Sequence, residues 1–206
     1  MACGMLARQT RTTSRGRNQA GGGKNTEALD LMIYHVHFTC APDYMARRLP
    51  FRPAHLKQLG TLRDEARVVA GGPEPDGTAA NIFYRVADPA ELSRLIEDNE
   101  FNRAGLFTAH HPRAFVDFLD PLDRPPLDAG LPATIVQGAP SDCARARAAL
   151  AALQRDGRAA FGGFFEDGTA LAVIRSGRLD EAAAWMADAG GWERAPLQAR
   201  PWSQTL

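Results

Sequence analysis

The sequence is short of most features that would assign it quickly. It has no excess charge of either sign: 24 Lys and Arg balance 24 Asp and Glu. That excludes a global electrostatic pull toward nucleic acid or an anionic membrane, so neither is expected as a partner. Cysteine is scarce. Cys3, Cys40 and Cys143 are odd in number and far apart, with no Cys-x-x-Cys pair. Neither a zinc ribbon nor a disulfide framework is suggested, and a reducing, cytoplasmic compartment fits. No apolar run approaches the roughly 20 residues of a membrane span, and the N-terminus lacks the apolar core of a secretory signal.

Residues 1–30 set Arg8, Arg11, Arg15, Arg17 and Lys24 among Thr, Ser, Gly and Asn. Such a segment buries too little apolar surface to offset its chain entropy and reads as a disordered basic tail. Met32, which opens directly into a strand, is a candidate start of the folded chain. Gly21-Gly22-Gly23-Lys24-Asn25-Thr26 has a superficial likeness to a phosphate loop. It lacks the leading Gly, has Asn where Ser or Thr should follow the Lys, and follows no strand. No nucleotide site is expected there.

The chain is self-similar. Leu59 to His111 can be laid on Leu150 to Trp202 without a gap. Leu59/Leu150, Leu62/Leu153, Arg67/Arg158, Gly71/Gly162, Gly72/Gly163 and Arg103/Arg194 then coincide, as do Asp76-Gly77-Thr78-Ala79 and Asp167-Gly168-Thr169-Ala170. Self-similarity at a fixed offset signals a repeated structural unit.

Each copy predicts the same elements. A β-rich run, Ile33 to Phe38 or Ala133 to Gln137, comes first. A helix follows near 50–66 or 142–156. Pro53 suits the first turn of one, with Leu56, Leu59 and Leu62 as its apolar stripe; Asp142 caps the other and Gly157 stops it. Two strands around an Asp-Gly turn come next, then a helix from Asp88-Pro89 to about Asp98 or from Leu179 to Ala189. A last strand covers roughly 106–114 or 197–202. The order is βαββαβ, the ferredoxin-like unit. The expected fold is α+β: two ferredoxin-like units with sheets face to face, an intramolecular dimeric α+β barrel, because one unit alone leaves a sheet face uncovered. The expected division is a tail at 1–30, a first domain at 31–116, a Pro-rich linker at 117–131 and a second copy at 132–206. The pseudo-dimer leaves room for further self-association.

The first copy resembles the YciI-like (YCII-related) family from about Met32 to Phe115. The resemblance rests on Arg48-Leu49, Arg52-Pro53-Ala54-His55-Leu56, Ala70-Gly71-Gly72-Pro73 and Phe101-Asn102-Arg103-Ala104-Gly105-Leu106-Phe107. It implies a dimeric barrel with a His/Asp site facing a small pocket, and in some members ring-cleavage or dehalogenation chemistry on small aromatic compounds. The family His falls on His55. At the family Asp stands Asn99, between Asp98 and Glu100; the carboxylate is Asp98 displaced by one place, or Glu100, or absent. The second copy has Ala146 where the first has His55, Gly190 where it has Asn99 and Pro196 where it has Gly105, and all five histidines lie in the first. The second copy therefore reads as the structural half.

These residues lead to a cofactor-free lyase or isomerase acting on a small molecule, with His55 as general base and Asp98 as its partner. Arg48 and Arg52 are candidates to clamp a carboxylate or phenolate. His35 and His37 alternate with Tyr34, Val36 and Phe38, so both point to one sheet face, where they could bind substrate or, with His110 or His111, a metal. A hydrogen-bonded structural pair is the simpler role, and no metal is assigned. The alternative function is a non-catalytic small-molecule-binding or protein-interaction module of the same fold. Trp185, Trp192, Trp202, Phe161, Phe164 and Phe165 are expected to pack the core.

Overall fold

A computed structural model describes residues 31–192 and 197–206. The tail at 1–30 and the positions Arg194 and Pro196 used in the repeat lie outside the described residues.

The first half contains β1 (Met32–Cys40), α1 (Tyr44–Arg47), α2 (Arg52–Asp64), β2 (Val68–Pro73), β3 (Ala79–Val86), α3 (Pro89–Glu97), α4 (Glu100–Arg103) and β4 (Phe107–Leu119). The second contains β5 (Leu131–Gly138), α5 (Cys143–Arg155), β6 (Ala159–Phe165), β7 (Ala170–Ile174), α6 (Leu179–Ala189) and β8 (Gln198–Gln204). Capping chemistry fixes several starts. Asp88 accepts from Glu91 N–H at 2.7 Å to open α3, and Asp142 accepts from Arg145 N–H at 3.0 Å to open α5. Among the described residues no helix is long and apolar enough to cross a membrane.

All strand pairs are antiparallel, in the order β2-β3-β1-β4-β6-β7-β5-β8. Each half thus has the ferredoxin-like arrangement, and together they form the α+β barrel. Two seams join them. At one, β4 runs past β1 and pairs its last residues, Phe115 to Leu119, with Phe165 to Gly162 of β6. The strand therefore continues through 117–119, where a linker was expected, because β6 supplies the backbone partners. At the other seam, Thr205 N–H and Leu206 N–H both donate to Gly71 C=O, at 2.9 and 3.1 Å, and the Trp202 indole donates to Gly72 C=O at 2.8 Å.

The aligned glycines explain how the seams close. A Cβ on Gly72 would stand 1.9 Å from Ser203 C=O, and one on Gly163 would stand 2.4 Å from Asp117 C=O. Both positions need a residue without a side chain so that neighbouring backbones can approach.

Period-two alternation sorts the side chains into three cores. Val36, Phe38, Ile82 and Tyr84 meet the helices of the first half, with Leu59, Leu62, Leu92 and Ile96. Val136, Phe164, Ala172 and Ile174 meet Leu150, Leu153, Met186 and Trp192 in the second. The opposite faces of both sheets supply the barrel interior, where Ile33, Phe83, Phe115, Ile135, Phe161, Phe165 and Trp202 interlock. The segment between the halves is gripped from both sides: Arg85 pairs with Asp120, Arg175 with Asp123, and Arg63 donates to Pro125 C=O at 2.9 Å.

Candidate functional site

A cavity of about 290 Å³ lies on the helix side of the first half, between α1–α2 and strands β2 and β3. Ala80 and Ile82, two residues apart on β3, form its floor. Arg52, His55, Leu56 and Leu59 come from successive turns of α2, and Phe101 and Phe107 close the far wall. The segment between the halves adds Asp128 and Gly130, and the end of the second half adds Ser203 and Thr205.

His55 is 8% exposed. Its ring stacks face to face on Phe101, with centroids 3.7 Å apart and planes 6° apart. Burial pushes its pKa down to about 4, and the Arg52 cation acts in the same direction, so the imidazole is neutral at pH 7. Its Nδ1 is buried without a hydrogen-bond partner among the described residues.

The residue brought to His55 is Asn99, not Asp98. Asp98 ends α3 with its carboxylate 59% exposed and held by Arg103 at 2.5 Å. It does not line the cavity. Asn99 is fully buried and caps α4, its Oδ1 accepting from Phe101 N–H at 3.0 Å. The phase is set by packing: Phe101 must enter the core, and the extended backbone at Asn99 turns position 99 inward while position 98 faces solvent. Gln58, which sequence reasoning passed over, clamps this turn to α2. It donates to Asp98 C=O at 2.7 Å and accepts from Glu100 N–H at 3.1 Å. Glu100 meets α2 through its backbone and does not line the cavity.

Arg48 and Arg52 do line the cavity, and they differ. Arg52 is held by both oxygens of Asp128, one of them at 2.9 Å. Arg48 lies 5.5 Å over the Tyr44 ring centroid, forms no ion pair among the described residues, and has a buried, unpartnered Nε. Its charge is the uncompensated one of the pair.

His35 and His37 point into the barrel, as alternation requires, and so lie across the sheet from this cavity rather than on its floor. His35 is 2% exposed, stacks on Phe83 at 4.9 Å and meets Asn81 Oδ1 at 2.9 Å. Burial pushes it down to about 3. His37 lies 4.0 Å from Glu74, and burial, Arg200 and His111 together lower it. The His37 and His111 rings are 6.3 Å apart, and among the described residues no three His, Cys, Asp or Glu side chains gather as metal ligands would. His35 is a hydrogen-bonded element of the barrel interior, whereas His37 meets Glu74 only at ion-pair distance.

The architecture is that of the dimeric α+β barrels, and solved structures agree. A candidate monooxygenase from Lactobacillus acidophilus superposes with a TM-score of 0.57 at 8% identity, over 85% of this chain and 94% of its own. One from Fusobacterium nucleatum gives 0.56 at 9% identity, over 85% and 93%. At such identities the likeness is one of fold alone. In sequence, a 44-residue stretch is 41% identical to Protein YciI of Escherichia coli O6:H1 (strain CFT073) and of Shigella flexneri. That stretch is 21% of this chain and 45% of the relatives, so the chain spans about half the length of the curated proteins it matches. No family model matches the chain.

Proposed function

We propose that this chain binds a small, flat molecule carrying an oxyanion or carbonyl oxygen in the cavity between α2 and the sheet of its first half. Arg48 carries the proposal: a guanidinium with no ion pair among the described residues and a buried Nε, at a cavity that also presents the neutral His55 ring. Charged groups so placed are kept where a ligand completes their pairing. Arg52, already neutralised by Asp128, ties the segment between the halves over the same cavity. The local similarity to YciI is consistent with a small-molecule-processing protein. The second half, whose matching helix position is Ala146, completes the barrel and contributes Ser203 and Thr205 to the wall. We infer that the two halves arose by duplication, on the strength of the ungapped repeat and of the aligned glycines at both seams.

A second function has one observation in its favour. His55 is neutral at pH 7 and can accept a proton, as a general base in a lyase or isomerase must. Among the described residues no carboxylate pairs with it to orient the ring, which places binding first.

The test is a thermal-shift panel of small aromatic carboxylates and phenols on wild type, Arg48→Ala and His55→Ala. A ligand at a hundred times its Kd stabilises by about 2.7 kcal/mol, or roughly 5–10 °C for a chain of this size. The shift should vanish in Arg48→Ala. Hits that shift both variants as much as wild type would place binding elsewhere.

A further inference from the structure

The seam between β2 and β8 is closed at one end and open at the other. Thr205 and Leu206 bond to Gly71, and the Trp202 indole bonds to Gly72. Toward Pro73 and Pro75 no backbone hydrogen bond reaches β8 among the described residues. Pro73 and Pro75 line the gap together with Pro132 of β5 and Pro201 of β8, and a proline has no N–H to give. The ladder cannot zip through these residues, and a cleft of about 290 Å³ stands between the strands.

The cleft is apolar and stiff. Met45, 46% exposed, forms its rim, and Trp202, 1% exposed, its floor. Proline rings have no rotamers to lose, and the indole is fixed by its bond to Gly72 C=O at 2.8 Å, so an apolar group can enter with little ordering of the wall. Among the described residues two charged side chains line the cleft, Glu74 and Arg48. Glu74 is already engaged: it accepts from Asn81 Nδ2 at 3.5 Å, with Arg200 at 3.8 Å and His37 at 4.0 Å.

Arg48 belongs to two cavities. Arg48, Pro73, Gly130 and Ser203 line this cleft and also the cavity between α2 and the sheet. The two spaces meet at the guanidinium, so an acid seated there has the apolar cleft open beside it.

We propose that the cleft is a second subsite of the Arg48 cavity, and that the ligand is an aryl acid carrying an apolar group next to its carboxylate. With the acid at Arg48 and the ring against His55 and Phe101, an apolar group reaches the cleft only from a carbon beside the acid. A group at the far end of the ring points away from it. The inference rests on the binding function proposed above and adds the shape of the ligand to it.

The experiment is calorimetric titration of the full-length protein with phenylacetate, α-butylphenylacetate and its isomer para-butylphenylacetate. The two isomers have the same composition and differ in where the butyl group is attached. One enantiomer of the α isomer should bind roughly tenfold tighter than phenylacetate, since burying about two methylenes gives that factor. The para isomer should show no such gain. Pro132 is exposed and lines the cleft but not the first cavity, so Pro132→Trp should fill the cleft and abolish the gain. An α isomer no tighter than phenylacetate, a para isomer that gains as much, or a gain that survives Pro132→Trp would overturn the second subsite. The binding function would still stand if phenylacetate bound wild type and not Arg48→Ala. If none of the three acids binds wild type, or all bind Arg48→Ala equally well, that function fails and the subsite with it. If Pro132→Trp does not fold, the comparison of isomers on wild type decides.

Discussion

Replacing Gly72 by alanine should open the barrel. The new Cβ would lie 1.9 Å from the carbonyl oxygen and 2.9 Å from the carbonyl carbon of Ser203, both backbone atoms. No rotamer change relieves such a contact, so β8 must move away from β2. Four hydrogen bonds cross this seam: Thr205 N–H, the Thr205 hydroxyl and Leu206 N–H donate to Gly71 C=O, and the Trp202 indole donates to Gly72 C=O. At about 1 kcal/mol each they amount to roughly 4 kcal/mol. Trp202, 1% exposed, would regain part of its surface and add about 1–2 kcal/mol. A total near 5–6 kcal/mol corresponds to a fall in Tm of roughly 10–24 °C. Gly163→Ala, whose Cβ would meet Asp117 C=O at 2.4 Å, should act similarly at the other seam. Gly60→Ala is the control. It sits inside α2, and its Cβ would meet only the flexible Leu127 side chain, at 3.1 Å. The gain in helix propensity, about 1 kcal/mol, should offset any repacking. Calorimetric melts of the three variants check this. A Gly72→Ala protein that melts with wild type would refute the closed-barrel account.

Other expectations concern the site. Asp98→Asn removes an exposed pair with Arg103 and should cost under about 1 kcal/mol, with no effect on ligand shifts; a strong loss of binding would return Asp98 to the site. Asp128→Ala should release Arg52 and loosen the segment between the halves, which limited proteolysis would detect as faster cleavage within 120–130; an unchanged rate would show that the pair is not a tether. Burial lowers His55 to about 4 and His35 to about 3 in the folded protein, against about 6.5 unfolded. Below pH 6.5 the unfolded state therefore binds more protons, and stability falls as pH drops from 6.5 toward 4. The slope approaches about 1.4 kcal/mol per pH unit for each histidine. Urea melts over that range measure it, and a flat profile would show that neither ring is held neutral.

Much of this was legible in the sequence wherever the signal is local. Asp142 and Gly157 bound α5 because capping depends on a few neighbouring atoms. Period two placed His35 and His37 on the face opposite Val36 and Phe38. The ungapped alignment paired Gly72 with Gly163 before either could be seen at a seam. What escaped depends on distant partners. The extension of β4 to Leu119 exists because β6 is there to pair with it. The cavity wall draws Asp128, Ser203 and Thr205 to a helix that begins at Arg52, across separations that no local pattern spans. The short helices α1 and α4 carry too few residues to show a period, and α4 is what turns Asn99 inward in place of Asp98.

The most direct test is a crystal structure of the wild-type protein with the strongest aromatic acid from the thermal-shift panel. The account predicts the ligand between α2 and β3, with one oxygen within hydrogen-bond reach of the Arg48 guanidinium and the ligand in contact with the His55 ring. A ligand seated instead inside the barrel, against His35 and Phe83, would contradict it.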